Sequence, residues 1–201
     1  MSFNFKTVSE ENRIQFKEKG SNFITYLFPI KTEEEFKIRL YELKSEFPDA
    51  SHHCYGFRLD KKGNSDRSSD DGEPSGTAGK PILNQLLSND LNYCAIVIIR
   101  YFGGVKLGTG GLIKAYKEAS KAVIESADII LEIEKTKGKI SFDFEFSSEI
   151  NKLIKLYSIE IIRKEANDKL NLFVSIPLEK MELLKSQIEK LRNVDFILLP
   201  Q

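Results

Sequence analysis

The sequence predicts an α+β protein of two domains, and three observations carry that expectation. "CAIVII" (Cys94–Ile99) is an uninterrupted apolar run, which suits a strand buried on both faces. Upstream of it, strand and helix periodicities alternate, as they do in mixed folds. Downstream, after the charged stretch "EIEKTKGK" (Glu132–Lys139), the pattern restarts in the order strand, helix, strand, strand, helix, strand. That order is the ferredoxin-like βαββαβ arrangement. The charged stretch reads as a linker, which sets the expected domains at residues 1–134 and 135–201.

Each element has its own signal. "RIQFKEKGSNFITYLFPI" alternates on both sides of Lys19-Gly20-Ser21, the mark of a hairpin. Ile14 and Phe16 share one face, while Ile24, Tyr26, Phe28 and Ile30 share another. Thr32 and Glu35 form a capping box, and Phe36, Leu40, Leu43 and Phe47 make one face of the helix it opens. "SHHCYGFRLD" follows as a strand, then a glycine-rich acidic loop and a short helix around Ile82–Leu87. The buried strand "YCAIVIIRYF" runs into "GGVKLGTGG", and a helix is expected from about Leu112 to Ser126. Its inner stripe holds Leu112, Ala115, Tyr116, Ala119, Ala122 and Val123. Beyond the linker, Ile140, Phe142, Phe144 and Phe146 alternate as a strand. Ile150, Leu153, Ile154 and Tyr157 have helical spacing. "SIEIIRKEA" and "KLNLFVSIP" flank a turn at Asn167-Asp168. Met181, Leu184, Ile188 and Leu191 mark a second helix, and "VDFILLP" closes the pattern as a strand.

Composition narrows the function classes. With 201 residues, 41% apolar and 30% charged, the chain can bury a core and is not of disordered type. Its 30 basic and 30 acidic residues cancel, so nucleic-acid contact needs a local patch. "CAIVII" is far too short to span a bilayer. The start lacks the apolar core of a secretory signal, and two cysteines, Cys54 and Cys94, fall in strands. Together these point to reduced, buried thiols and a cytoplasmic protein.

Eight of the 12 glycines lie between Gly72 and Gly111, in two segments that each run into a helix. The first, "SSDDGEPSGTAGKPIL" (Ser68–Leu83), carries Asp70, Asp71, Glu73 and Lys80. The second, "RYFGGVKLGTGGLIKAY" (Arg100–Tyr116), carries Gly103, Gly104, Gly108, Gly110 and Gly111, with Arg100, Lys106 and Lys114 as charges and Thr109 as an N-cap. Free amides at that helix start would face an anion. A tight strand-to-helix turn explains the same glycines without a ligand. The connection between the segments is short, so they are expected to meet and form one surface, with the acids near Arg100 and Lys106.

Stricter motifs fail. Gly103 to Gly108 has P-loop spacing but continues Thr109-Gly110, and no G-x-G-x-x-G is present. Asp70, Asp71 and Glu73 could hold Mg²⁺ or transfer protons; they also read as a solvated acidic turn. His52, His53 and Cys54 fall on opposite faces of a strand, a poor geometry for zinc or for a Cys–His nucleophile pair. No cofactor and no catalytic residue is expected.

The two glycine-rich segments, with "KGSNFI" (Lys19–Ile24) and "SHHCYGFRL" (Ser51–Leu59), strongly resemble the signature of the YigZ/Impact family. The resemblance implies an N-terminal domain folded like the second domain of ribosomal protein S5. It also implies a C-terminal domain like the last domain of elongation factor G. Eukaryotic members regulate translation by competing for a partner of a stress-activated initiation-factor kinase. The expected function is therefore a translation-associated binding protein that meets RNA, the ribosome or a protein partner through the glycine-rich face. The rival readings are an enzyme or binder of phosphorylated small molecules, with Gly108–Gly111 as anion cradle, and a protein-interaction adaptor.

Overall fold

The computed structural model describes residues 3–60 and 63–199. These divide into two compact units: Phe5–Glu132, and Ile133 onward together with residues 3 and 4.

The chain opens with β1 (Asn4–Val8), β2 (Asn12–Glu18) and β3 (Ser21–Pro29). β2 and β3 are antiparallel with Glu18 opposite Ser21, so the turn is the two residues Lys19 and Gly20. Both have positive φ, 47° and 80°, the backbone of a type I′ hairpin whose twist matches its strands. α1 (Glu33–Glu46) begins at the expected box: Thr32 Oγ1 accepts from Glu35 N at 3.1 Å, and Glu35 Oε2 accepts from Lys31 N at 2.7 Å. Then come β4 (His52–Arg58), β5 (Arg67–Ser69), α2 (Gly79–Ser88), β6 (Cys94–Tyr101), α3 (Gly108–Glu125) and β7 (Ile129–Ile133).

One sheet has the order β2-β3-β6-β4-β5, each neighbouring pair antiparallel. β6 is its centre and is buried on both faces. Cys94, Ile96 and Ile98 pack with Ile82 and Leu86 of α2 and with Leu112, Tyr116 and Ala119 of α3. Ala95, Val97 and Ile99 pack on the other side with Phe36 and Leu43 of α1. Arg100 continues the first of these faces, so the strand carries a guanidinium into the layer beneath α3. A second, two-stranded sheet pairs β1 with β7.

The second unit holds β8 (Lys135–Phe142), α4 (Ser147–Leu156), β9 (Glu160–Ala166), β10 (Leu170–Pro177), α5 (Met181–Ile188) and β11 (Val194–Leu198). Its sheet order, β11-β8-β10-β9, gives the βαββαβ unit that the periodicity predicts. Ile140, Phe142, Val174 and Ile176 pack against Ile150 and Ile154 of α4 and Leu184 and Ile188 of α5. The predicted α+β class therefore holds.

Three local expectations are corrected. The charged stretch is strand: β7 ends at Ile133 and β8 starts at Lys135, leaving Glu134 between them. Thr136 and Gly138 face the core from β8, and neither registers as apolar in a hydrophobic pattern. Phe144 and Phe146 do not extend that strand; they form a single 3-10 turn leading into α4. Only Phe146 packs toward the core, while Phe144 is exposed. Finally, α3 starts at Gly108, four residues before the expected Leu112, so "GTGG" is its first turn.

Candidate functional site

The two glycine-rich segments meet over the end of β6. The join is an ion pair: Arg100 Nη1 donates to Glu73 Oε1 at 2.5 Å, and both side chains are almost wholly buried. Tyr116 Oη donates to the same oxygen at 2.8 Å, from an α3 turn that faces the sheet. Arg100 Nη2 donates to Ser21 Oγ at 3.2 Å, and Ser21 Oγ also accepts from Gly103 N at 3.3 Å. Arg100 lies between two rings, 5.5 Å from the Phe23 centroid and 5.7 Å from that of Phe102. Such a pair resists disruption, since removing one partner strands a buried charge.

Above this floor lies a cleft of about 350 Å³, bordered by Glu73, Pro74, Phe102, Lys106, Gly108 and Thr109. Its walls come from both segments. Gly103 sets how closely they approach: a Cβ there would fall 1.9 Å from the Gly20 carbonyl carbon. Only glycine lets this loop rest on the hairpin turn. Gly108, with φ +73°, turns the chain into α3. Burial pushes the Cys54 thiol and the Tyr116 phenol far above their ordinary ranges, so both stay protonated at neutral pH. Cys54 Sγ lies 3.0 Å from the Asp70 carbonyl oxygen and 3.3 Å from Tyr116 Oη, a structural position.

The other expected site residues divide sharply. Asp70 faces back into its own loop: Oδ2 accepts from Gly76 N at 2.8 Å, and Oδ1 from Ala78 N at 2.9 Å and Gly79 N at 2.8 Å. It thereby caps α2 from eight and nine residues upstream. Burial raises its pKa, but these three amides outweigh burial and hold it below the usual carboxylate range. Asp71 turns to the opposite face of β4, accepting from His53 N at 2.6 Å and pairing with Lys44 at 3.1 Å. Only Glu73 of the three acids reaches Arg100. The carboxylates diverge, and among the described residues no three His, Cys, Asp or Glu side chains converge as metal ligands.

Thr109 is not the N-cap. It sits inside the first turn of α3, where the capping position is Leu107 and no side chain among the described residues caps the helix. Gly104 has positive φ in the exposed loop. Gly110 faces open space, and a Cβ on Gly111 would touch only Leu107. Lys114 is exposed and borders neither groove. Lys80 lines a separate groove with Gln85, Ile113 and Lys117. Sequence reasoning missed Ser21 and the polar role of Tyr116. The available signal was a phenol in an alanine-rich inner stripe, since a buried hydroxyl needs a partner.

Among the described residues no helix is long and apolar enough to cross a membrane. The Impact N-terminal domain model matches residues 19–124, which includes both glycine-rich segments. An IMPACT family member of Haemophilus influenzae is 32% identical over 182 residues, 89% of this chain and 88% of that protein. The Escherichia coli member YigZ is 45% identical over 100 residues, 49% of each chain. A crystal structure of a hypothetical protein matches the whole of both chains with TM-score 0.76 at 26% identity. This chain belongs to the IMPACT family.

Proposed function

We propose that the chain is a translation-associated regulatory protein that acts by binding, and that its cleft receives RNA. The carrying observation is the rim of that cleft. The first turn of α3 has no side-chain cap, and the exposed Lys106 and Phe102 stand beside it. Unpaired amides and an ammonium group suit a phosphate, while an exposed ring suits a base. The floor below contributes rigidity and little net charge, because Glu73 neutralises Arg100. Family membership supports the translational setting.

The test is fluorescence anisotropy of the full chain with labelled single-stranded RNA. Lys106→Ala should weaken binding and flatten its salt dependence by about 0.7 in the log–log slope, the value for one phosphate contact on a single strand. Free nucleotides binding as tightly as RNA would replace this with the small-molecule reading. Unchanged binding by Lys106→Ala would remove the cleft as the contact surface.

A further inference from the structure

The stretch that reads as a linker is a strand, and its lysines thereby acquire a direction. Along β8, Thr136, Gly138, Ile140 and Phe142 are buried, so Lys135, Lys137 and Lys139 all face the side of the sheet without helices. Same-face residues on a strand stand about 6.6 Å apart, two residue rises. The register then places an aromatic ring beside this ladder. Phe173 of β10 is opposite Lys139 on one side and opposite Arg163 of β9 on the other. The Arg163 guanidinium carbon lies 4.1 Å from the Phe173 centroid, and Lys139 Nζ lies 5.8 Å from it. Cation, ring and cation thus form one row across three neighbouring strands. In the next row Ser141 Oγ donates to Asn171 Oδ1 at 2.7 Å, adding hydrogen-bonding groups on the same face.

Charge favours an anionic occupant. On this face Lys135 pairs with Glu160, Arg163 with Glu165, and Lys169 with Asp195, which lies opposite Ser141. Among the described residues, no acid lies within ion-pair distance of Lys137 or Lys139. Lys139 borders a ring that is only half-buried, and Lys137 stands one same-face position along the strand, opposite Ser175.

We propose that this helix-free sheet face is a second binding surface, for a single-stranded polynucleotide. Lys137 and Lys139 follow the phosphates, and a base stacks at Phe173, sharing the ring with the Arg163 guanidinium. Stacking on aromatic residues and a basic track along the backbone are the two general components of sequence-tolerant single-strand binding. The surface does not depend on occupancy of the glycine-rich cleft.

The test uses the full chain with labelled 12-nucleotide RNA, the same sequence as DNA, and a duplex. Phe173→Ala should weaken single-strand binding about tenfold, within the range for loss of one stacked base. Lys137→Ala and Lys139→Ala should each lower the log–log salt slope by about 0.7. Phe173→Tyr, which keeps the ring, should bind as the parent does and so separates stacking from misfolding. The RNA and DNA arms distinguish the source of the strand. Parent-like affinity and salt slope in Phe173→Ala and in the Lys137→Ala, Lys139→Ala double variant would overturn the proposal, even if Lys106→Ala binds poorly. Duplex preference, or binding of polyglutamate but not of RNA or DNA, would overturn it as well.

Discussion

The two glycine-rich loops share their glycines but carry opposite charge and opposite wiring. The first closes on itself: Asp70 takes three of its own amides, Asp71 takes His53 N, and α2 starts capped from within the loop. The second stays open: α3 starts at Gly108 with no side-chain cap, and the lysine beside it is exposed. Glycine alone does not distinguish a buttress from a receptive helix end. The distinction lies in whether a nearby carboxylate has already taken the amides.

Breaking the shared floor should have the largest effect. Arg100→Ala leaves Glu73 buried with Tyr116 as its hydrogen-bond donor and His52 Nε2 3.9 Å away, and should cost about 3–5 kcal/mol of stability. Equilibrium denaturation measures it, and a loss under 1 kcal/mol would show that the segments hold together without the pair.

Breaking the closed loop comes next. Asp70→Ala orphans the Gly76 amide in the loop and the Ala78 and Gly79 amides at the start of α2, and should cost about 2–3 kcal/mol, in the range for hydrogen bonds to a charged group. The pH dependence carries a definite sign. The folded-state pKa of Asp70 is depressed, so its contribution is complete above the ordinary carboxylate range and is lost as pH falls through the folded value. Asp70→Asn should therefore narrow the stability difference between neutral and acidic pH, read from melting curves at a series of pH values below about 4.

Glycine replacements sharpen the contrast within α3. Gly108→Ala must place a side chain at φ +73° and should cost about 1–2 kcal/mol. Gly110 has neither positive φ nor a neighbour within 4 Å, so Gly110→Ala should be neutral or stabilise by up to about 1 kcal/mol. Equal melting shifts for the two would contradict the backbone assigned to Gly108. Lys106→Ala should move the melting temperature least of all, because its exposed side chain enters no ion pair among the described residues.

Much of this architecture is written in local patterns. "CAIVII" states burial on both faces, Thr32 and Glu35 state a helix start, and the downstream spacing states βαββαβ. The meeting of the two loops was legible from the short connection between them. What escaped reading was set by distant partners. Asp70 caps amides six to nine residues away, outside any local capping pattern. Tyr116 joins Glu73, and Ser21 joins Arg100, through sequence separations of 43 and 79 residues, respectively. Periodicity also misled where small residues face inward, as Thr136 and Gly138 do. It misled again where aromatics alternate by accident, as Phe144 and Phe146 do after the strand has ended.

The strand character of β8 has a consequence for proteolysis. Lys135, Lys137 and Lys139 are nominal trypsin sites in what reads as an exposed charged connector. Yet β8 is hydrogen-bonded to β10 along its whole length, and to β11 from Gly138 to Phe142. A protease needs a segment that opens locally, and a strand paired on both edges opens only when its sheet does. Tryptic cleavage at Lys139 should therefore follow the unfolding of the second unit, and a brief digestion of the native protein should leave this junction intact.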